Sequence, residues 1–248
     1  MTELHKEKVS DKTMHDKKVL GLIPARGGSK GIPKKNLFPI MAKPLAQYTF
    51  EAAQQSGVLN QIMISSEDEE ILHFAQLHGI DTRYRRPQTL GSDQAKTADV
   101  VEDVLNWLEQ VGEYPDVLVL LQPTSPLRSA EDINNAVNRF IELGVDSMVS
   151  VHKMVEHPYK SMYMSGEGEW NYLAKPAEKA HRRQDYDDNY FTINGAFYLV
   201  KPDWFRKHKT FVVENETELF EMSPIAGMDV DELVDVFKVE AYLKMLSN

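Results

Sequence analysis

The chain has 248 residues and a formal net charge of −10 at pH 7. General polyanion binders are usually basic, so this balance argues against nucleic acid as a partner, and no apolar run approaches the length of a membrane span. The lack of cysteine excludes a disulfide framework, a thiolate metal site and a thiol nucleophile, and fits a reducing cytosol.

Residues 1–17 are polar, without the apolar core of a signal peptide, and are expected to form a disordered tail ahead of one domain over 18–248. Val19–Ile23 suits a buried strand, stopped by Pro24. After a glycine-rich loop, Pro44–Gln55 reads as a helix with Pro44 in its first turn and Gly57 past its end. A strand at Gln61–Ser65, a helix at Asp68–Leu77 and a strand at Ile80–Tyr84 follow. Ala98–Gln110 is an amphipathic helix with Val101, Val104, Leu105 and Leu108 on one face. Val117–Leu121 is a continuous apolar run, suited to a strand buried on both faces. Ser129 and Asp132 resemble a capping box opening a helix through Leu143, and Ser147–Val151 is the next strand.

This alternation predicts an α/β fold, a mainly parallel sheet with right-handed crossovers and flanking helices. Ligands in such folds sit at the carboxyl ends of strands. The glycine loop, Ser65-Ser66 and Gln122–Ser125 all follow such ends. After His152 the pattern breaks, and 153–193 reads as an irregular inserted arm. Strand character returns at Gly195–Val200. A last helix is expected over Asp231–Leu246, with Leu233, Val236, Phe237, Ala241 and Leu243 apolar.

Two stretches carry the chemistry. In the first, Gly27, Gly28 and Gly31 are expected to bend through positive φ and let the backbone approach a ligand. Arg26, Lys30, Lys34 and Lys35 add four cations, so turn amides and side chains together suit a triphosphate. The loop has neither Walker A nor Gly-x-Gly-x-x-Gly spacing. In the second, Asp229 and Asp231 lie two residues apart, on one face of an extended segment. Such oxygen donors hold Mg²⁺ against phosphate oxygens. The competing reading is a helix N-cap at Asp231. Gln122, Thr124 and Ser125 offer neutral hydrogen bonds on a proline-stiffened turn, and Arg128 reads equally as a structural ion-pair partner.

Pro24, Ala25, Arg26, Ser29, Lys30, Gly31, Pro33, Lys35 and Asn36 resemble the signature loop of the acylneuraminate cytidylyltransferases, the CMP-sialic acid synthetases. Similarity extends through Arg85–Asp93, Gln122–Arg128, 182–198 and Asp229–Asp231. The resemblance implies a Rossmann-like nucleotidyltransferase that joins CTP and a nonulosonic acid with Mg²⁺. It makes Arg26, Lys35, Asp229 and Asp231 the catalytic set, with the two aspartates on the metal. Gly27, Gly28, Ser29, Lys30, Asn36, Arg86 and Ser92 are then expected on the nucleotide, with Asp93 a further candidate. Gln122, Lys160, Arg183, Gln184 and Asn194 are expected on the sugar, where a fixed cation engages its carboxylate. Tyr190, Phe197 and Tyr198 are candidates to pack against that sugar, although core packing is the default for the last two. A homodimer reached through the 153–193 arm is also implied. Tyr186-Asp187-Asp188 departs from the proline expected there in many sialic acid enzymes, which leaves N-acetylneuraminic, legionaminic and pseudaminic acid open. An enzyme for the eight-carbon acid Kdo and a non-catalytic nucleotide-sugar sensor are the other readings.

Overall fold

In the computed structural model, residues 17–175 and 189–246 are described. All but the last residue of the expected tail lies outside them, as do Arg183, Gln184 and Tyr186–Asp188. The element order begins β1 (Val19–Pro24), β2 (Pro39–Ile40), β3 (Lys43–Pro44), α1 (Leu45–Ser56), β4 (Gln61–Ser65) and α2 (Glu69–Leu77). It continues through α3 (Thr97–Gln110), β5 (Val117–Leu121), α4 (Ala130–Leu143) and β6 (Ser147–Lys153). Then come β7 (Met162–Gly166), β8 (Glu169–Tyr172), β9 (Phe191–Val200), α5 (Pro202–His208), β10 (Glu218–Glu221) and α6 (Leu233–Leu246).

Strand alternation builds the layers. Val19 and Ile23 of β1, with Val117, Val119 and Leu121 of β5, face a core shared with α1, α2 and α4. Leu20 and Leu22, with Leu118 and Leu120, face the other side, against Val101, Val104, Leu105 and Leu108 of α3 and Phe205 of α5. β5 is therefore buried on both faces, as its unbroken apolar run predicts. The central sheet has the order β10-β6-β9-β5-β1-β4. β1 pairs in parallel with β4 and β5, and β10 with β6. β9 runs antiparallel to both its neighbours.

Helix ends follow local chemistry. Asp68 caps α2 by accepting from the amides of Glu70 and Ile71, and Ser129 with Asp132 forms the expected capping box of α4. Gly57 and Gly144 close α1 and α4 in the left-handed conformation.

Several expectations fail for identifiable reasons. Ile80–Tyr84 is no strand. Asp81 makes a single bridge to Met63, and its carboxylate then accepts from the Arg83 amide at 2.9 Å, which turns the chain away from the sheet edge. The 153–193 arm is not irregular throughout, since β7 and β8 form an exposed antiparallel hairpin. On α6, Val236 and Val239 are buried, while Leu233, Phe237 and Ala241 face outward. β9 also starts four residues before the expected Gly195. A register shift between Val149 and Val151 is satisfied by the Ser150 hydroxyl, which donates to Phe197 O and accepts from its amide, each at 3.0 Å.

Candidate active site

A cleft of about 420 Å³ opens at the carboxyl ends of β1 and β5. The glycine loop lines it through Arg26, Gly28, Ser29, Lys35 and Asn36. The 86–97 segment contributes Arg86, Ser92 and Asp93, the turn after β5 contributes Gln122 and Thr124, and Asp229 and Asp231 enter from the chain's far end.

The loop's glycines serve close approach and not left-handed geometry. None of Gly27, Gly28 or Gly31 has positive φ; that conformation falls at Lys34, with φ 50°. A Cβ at Gly27 would collide with the Asp68 side chain, and one at Gly31 with the main-chain carbonyl of Asp231. Gly28 faces open space. Asn36 donates from its amide to Arg26 O at 2.8 Å and closes the loop on itself. Among the described residues, the amides of Gly28, Ser29, Lys30 and Gly31 have no protein acceptor, so they remain available to an anion.

Lys35 joins the two ends of the chain. Its ammonium donates to Asp231 Oδ1 at 2.9 Å and to Val230 O at 3.1 Å, with its side chain only 16% exposed. The amide of Val230 donates to Thr124 O at 2.8 Å, which ties the carboxylate segment to the cleft floor. Asp229 is reached by water through the open cleft, yet protein crowds its carboxyl. That burial pushes it up to about 6, reinforced by the charge and hydrogen bond of Asp231 and opposed by the Thr124 hydroxyl and Lys35. Two carboxylates held this closely are relieved by a cation.

Other cations are partly engaged. Asp93 pairs with Arg26, and its second oxygen lies 3.3 Å from Lys30. Hydrogen bonds from these two cations hold the Asp93 carboxyl below its usual range. Lys34 pairs with Glu70. Arg86, only 6% exposed, donates to Ser65 Oγ at 3.0 Å and to Ser65 O at 2.6 Å. It borders the cleft with its guanidinium largely committed to the end of β4.

Among the described residues, Arg128 has no ion-pair partner. It is fully buried and donates to Gln122 O at 3.1 Å, Ala196 O at 2.5 Å and Thr49 Oγ1 at 2.7 Å. Burial pushes its guanidinium down to about 10, against a small opposing pull from Asp132. It clamps the floor turn to β9 and α1.

The expected sugar contacts are only partly brought together. Gln122 lines the cleft, whereas Lys160 stands on the one-turn helix Pro158–Lys160 of the arm, outside the lining. Asn194 does not line the cleft either: its Oδ1 accepts from Ser150 Oγ at 2.6 Å and from the Ala196 amide at 3.1 Å, and its side chain packs on Gly227. Tyr190 sits in an aromatic group with His157 and Tyr159 at the base of the arm. Phe197 is core, as its default reading holds, but Tyr198 lines the cleft and was undervalued by the sequence pattern. Glu67 was missed altogether. Its place in an acidic run before α2 resembles ordinary helix-start charge, yet its carboxylate accepts from the Gly27 amide at 2.8 Å.

The sequence profile of a family described as cytidylyltransferase matches residues 20–221. An N-acylneuraminate cytidylyltransferase of Streptococcus agalactiae serotype V is 33% identical over 228 residues, covering 91% of this chain and 53% of the relative. The chain thus spans about half the length of the streptococcal relatives it matches. A CMP-N,N'-diacetyllegionaminic acid synthase of Legionella pneumophila is 30% identical, over 92% of this chain and 97% of the relative. A pseudaminic acid cytidylyltransferase of Campylobacter jejuni serotype O:2 is 27% identical, over 88% and 93%. Among solved structures, CMP:2-keto-3-deoxy-manno-octonic acid synthetase complexed with CTP superposes with a TM-score of 0.67 at 18% identity, covering 92% of this chain and 99% of that one. That likeness is one of fold alone.

Proposed function

This chain belongs to the cytidylyltransferase family, and on that premise we propose that it transfers CMP from CTP to the anomeric hydroxyl of a nonulosonic acid, releasing pyrophosphate. The observation that carries the reading is the Lys35–Asp231 contact, which puts the cationic loop and the carboxylate pair in one cleft.

The chemistry is in-line attack on the α-phosphorus, so positioning and charge neutralisation are the protein's main tasks. The free amides of Gly28 to Gly31 cradle the β- and γ-phosphates. Arg26, Lys30 and Lys35 offset their charge and stabilise the pyrophosphate as it leaves. Asn36 holds the loop closed. Ser92 and Arg86 border the nucleoside side, and Gln122 stands between nucleotide and sugar. Arg183 and Gln184, on the segment between β8 and β9, together with Lys160 remain candidates for the sugar carboxylate and hydroxyls. Asp229 and Asp231 fit a Mg²⁺ ion, because two hard oxygen donors on one segment at the cleft leave the remaining positions to phosphate and water. When bound there, such an ion would neutralise the α-phosphate and ease deprotonation of the sugar hydroxyl.

Dimerisation through the arm is part of the same proposal. The β7–β8 hairpin exposes Met162, Tyr163, Met164, Trp170 and Tyr172, more apolar surface than a solvated hairpin needs. No helix among the described residues is long and apolar enough to cross a membrane, and supply of CTP favours a cytosolic setting.

The test is a pyrophosphate-release screen with CTP, Mg²⁺ and a panel of acids: N-acetylneuraminic, diacetyllegionaminic, pseudaminic and Kdo. Release with a nine-carbon acid is expected. Preference for Kdo moves the assignment to the eight-carbon enzymes. CTP binding without release for any acid makes the protein a sensor.

A further inference from the structure

We propose that Glu67 is a positioning residue that sets both nucleotide-facing segments of the cleft from behind. The inference rests on the reading that this cleft binds CTP. Glu67 follows β4 and is absent from the cleft lining, yet two lining segments are anchored on it. Its Oε1 accepts from the Gly27 amide at 2.8 Å, so that amide points inward. The Arg86 guanidinium lies 3.6 Å from its other oxygen, with the two side chains only 9% and 4% exposed. Its main-chain carbonyl accepts from Gln88 Nε2 at 3.2 Å. Gly91 packs so tightly on it that a Cβ there would lie 2.5 Å from Glu67 Cδ.

A carboxylate beside a triphosphate loop repels the ligand unless another charge balances it. Arg86 supplies that balance, and burial makes the pairing rigid: removing one member of a buried charge pair leaves the other uncompensated. Fixing the Gly27 amide on Glu67 sets the turn from which Gly28 and Ser29 line the cleft. Fixing Arg86 and Gly91 against the same carboxylate sets the start of the segment that carries Ser92 and Asp93. One buried side chain thus couples the phosphate side of the cleft to the nucleoside side.

Glu67→Met deletes both side-chain contacts, whereas Glu67→Gln keeps an acceptor for Gly27. CTP affinity is measured by titration calorimetry, alongside KM for each substrate and the melting temperature. Glu67→Met is expected to weaken CTP binding roughly 10-fold or more, with KM for the acid within about twofold, and Glu67→Gln to recover most of the loss. Should Glu67→Met not fold, Gly91→Ala, which displaces the same carboxylate, is expected to weaken CTP selectively. Unchanged CTP affinity in a folded Glu67→Met or in Gly91→Ala overturns the proposal. So does equal weakening of both substrates. Calorimetry with CTP reads Glu67 even if no acid is turned over, so failure of the synthetase reading stays separate from failure of this one.

Discussion

Lys35 shows how one side chain links the ends of a chain of 248 residues. It follows a backbone turn at Lys34 with φ 50° and reaches Asp231 and Val230 from a half-buried position. Its spacing from Arg26 was legible in the sequence, because the whole basic loop is local. Its partner was legible only as a carboxylate in search of a cation. Arg128 was the opposite case. A buried guanidinium held by two carbonyls and a hydroxyl is set by tertiary packing and leaves no local pattern. Arg128→Met is expected to lower unfolding stability by about 2 kcal/mol, since it strips buried acceptors of their donor. Because Gln122 O is one of them, KM for the acid should rise alongside. Chemical denaturation together with substrate kinetics checks both; an unchanged midpoint would remove the clamp from the account.

Elements with strong periodicity or defined caps were legible almost to the residue: β4 and β5 span the predicted bounds, and α4 begins after its capping box. Ser129→Ala is expected to cost about 1 kcal/mol by urea unfolding, through loss of that cap. The sheet edge was not legible. Ile80–Tyr84 has the composition of a strand, but the Asp81 carboxylate competes for the chain by bonding Arg83 and Gln61. Burial alone would raise the Asp81 pKa; the hydrogen bonds from Arg83 and Gln61 outweigh it and hold the carboxyl below its usual range. A depressed folded pKa means that this stabilisation is present above the unfolded value and is lost as pH falls through the folded one. Wild type should therefore melt above Asp81→Asn at pH 7, and the gap should narrow as the pH falls below about 4. A gap that widens as the pH falls contradicts the sign. The outward face of α6 was misread because its apolar residues nearly encircle the helix, and only packing selects Val236 and Val239.

At the scale of the molecule, alternating strands and helices were enough to give a doubly layered α/β sheet with its ligand cleft at strand carboxyl ends. The antiparallel β9 was hidden, because direction in a sheet depends on how the chain returns from the arm and not on the strand's composition. The exposed hairpin is where the proposed dimer is tested. Met164→Glu with Trp170→Glu, at positions paired across β7 and β8, should yield monomers by sedimentation where wild type is a dimer. Wild-type monomer, or a double variant that still dimerises, removes the arm from assembly. The proposed activity requires a loop near residue 26 and carboxylates near residue 231 to act on one nucleotide. The most direct measurement is CTP-dependent pyrophosphate release by Arg26→Ala and Asp231→Ala, each checked for a wild-type melting temperature. Both should fall by at least roughly 100-fold while remaining folded. Near wild-type release in either variant would contradict the convergence on which the site is built.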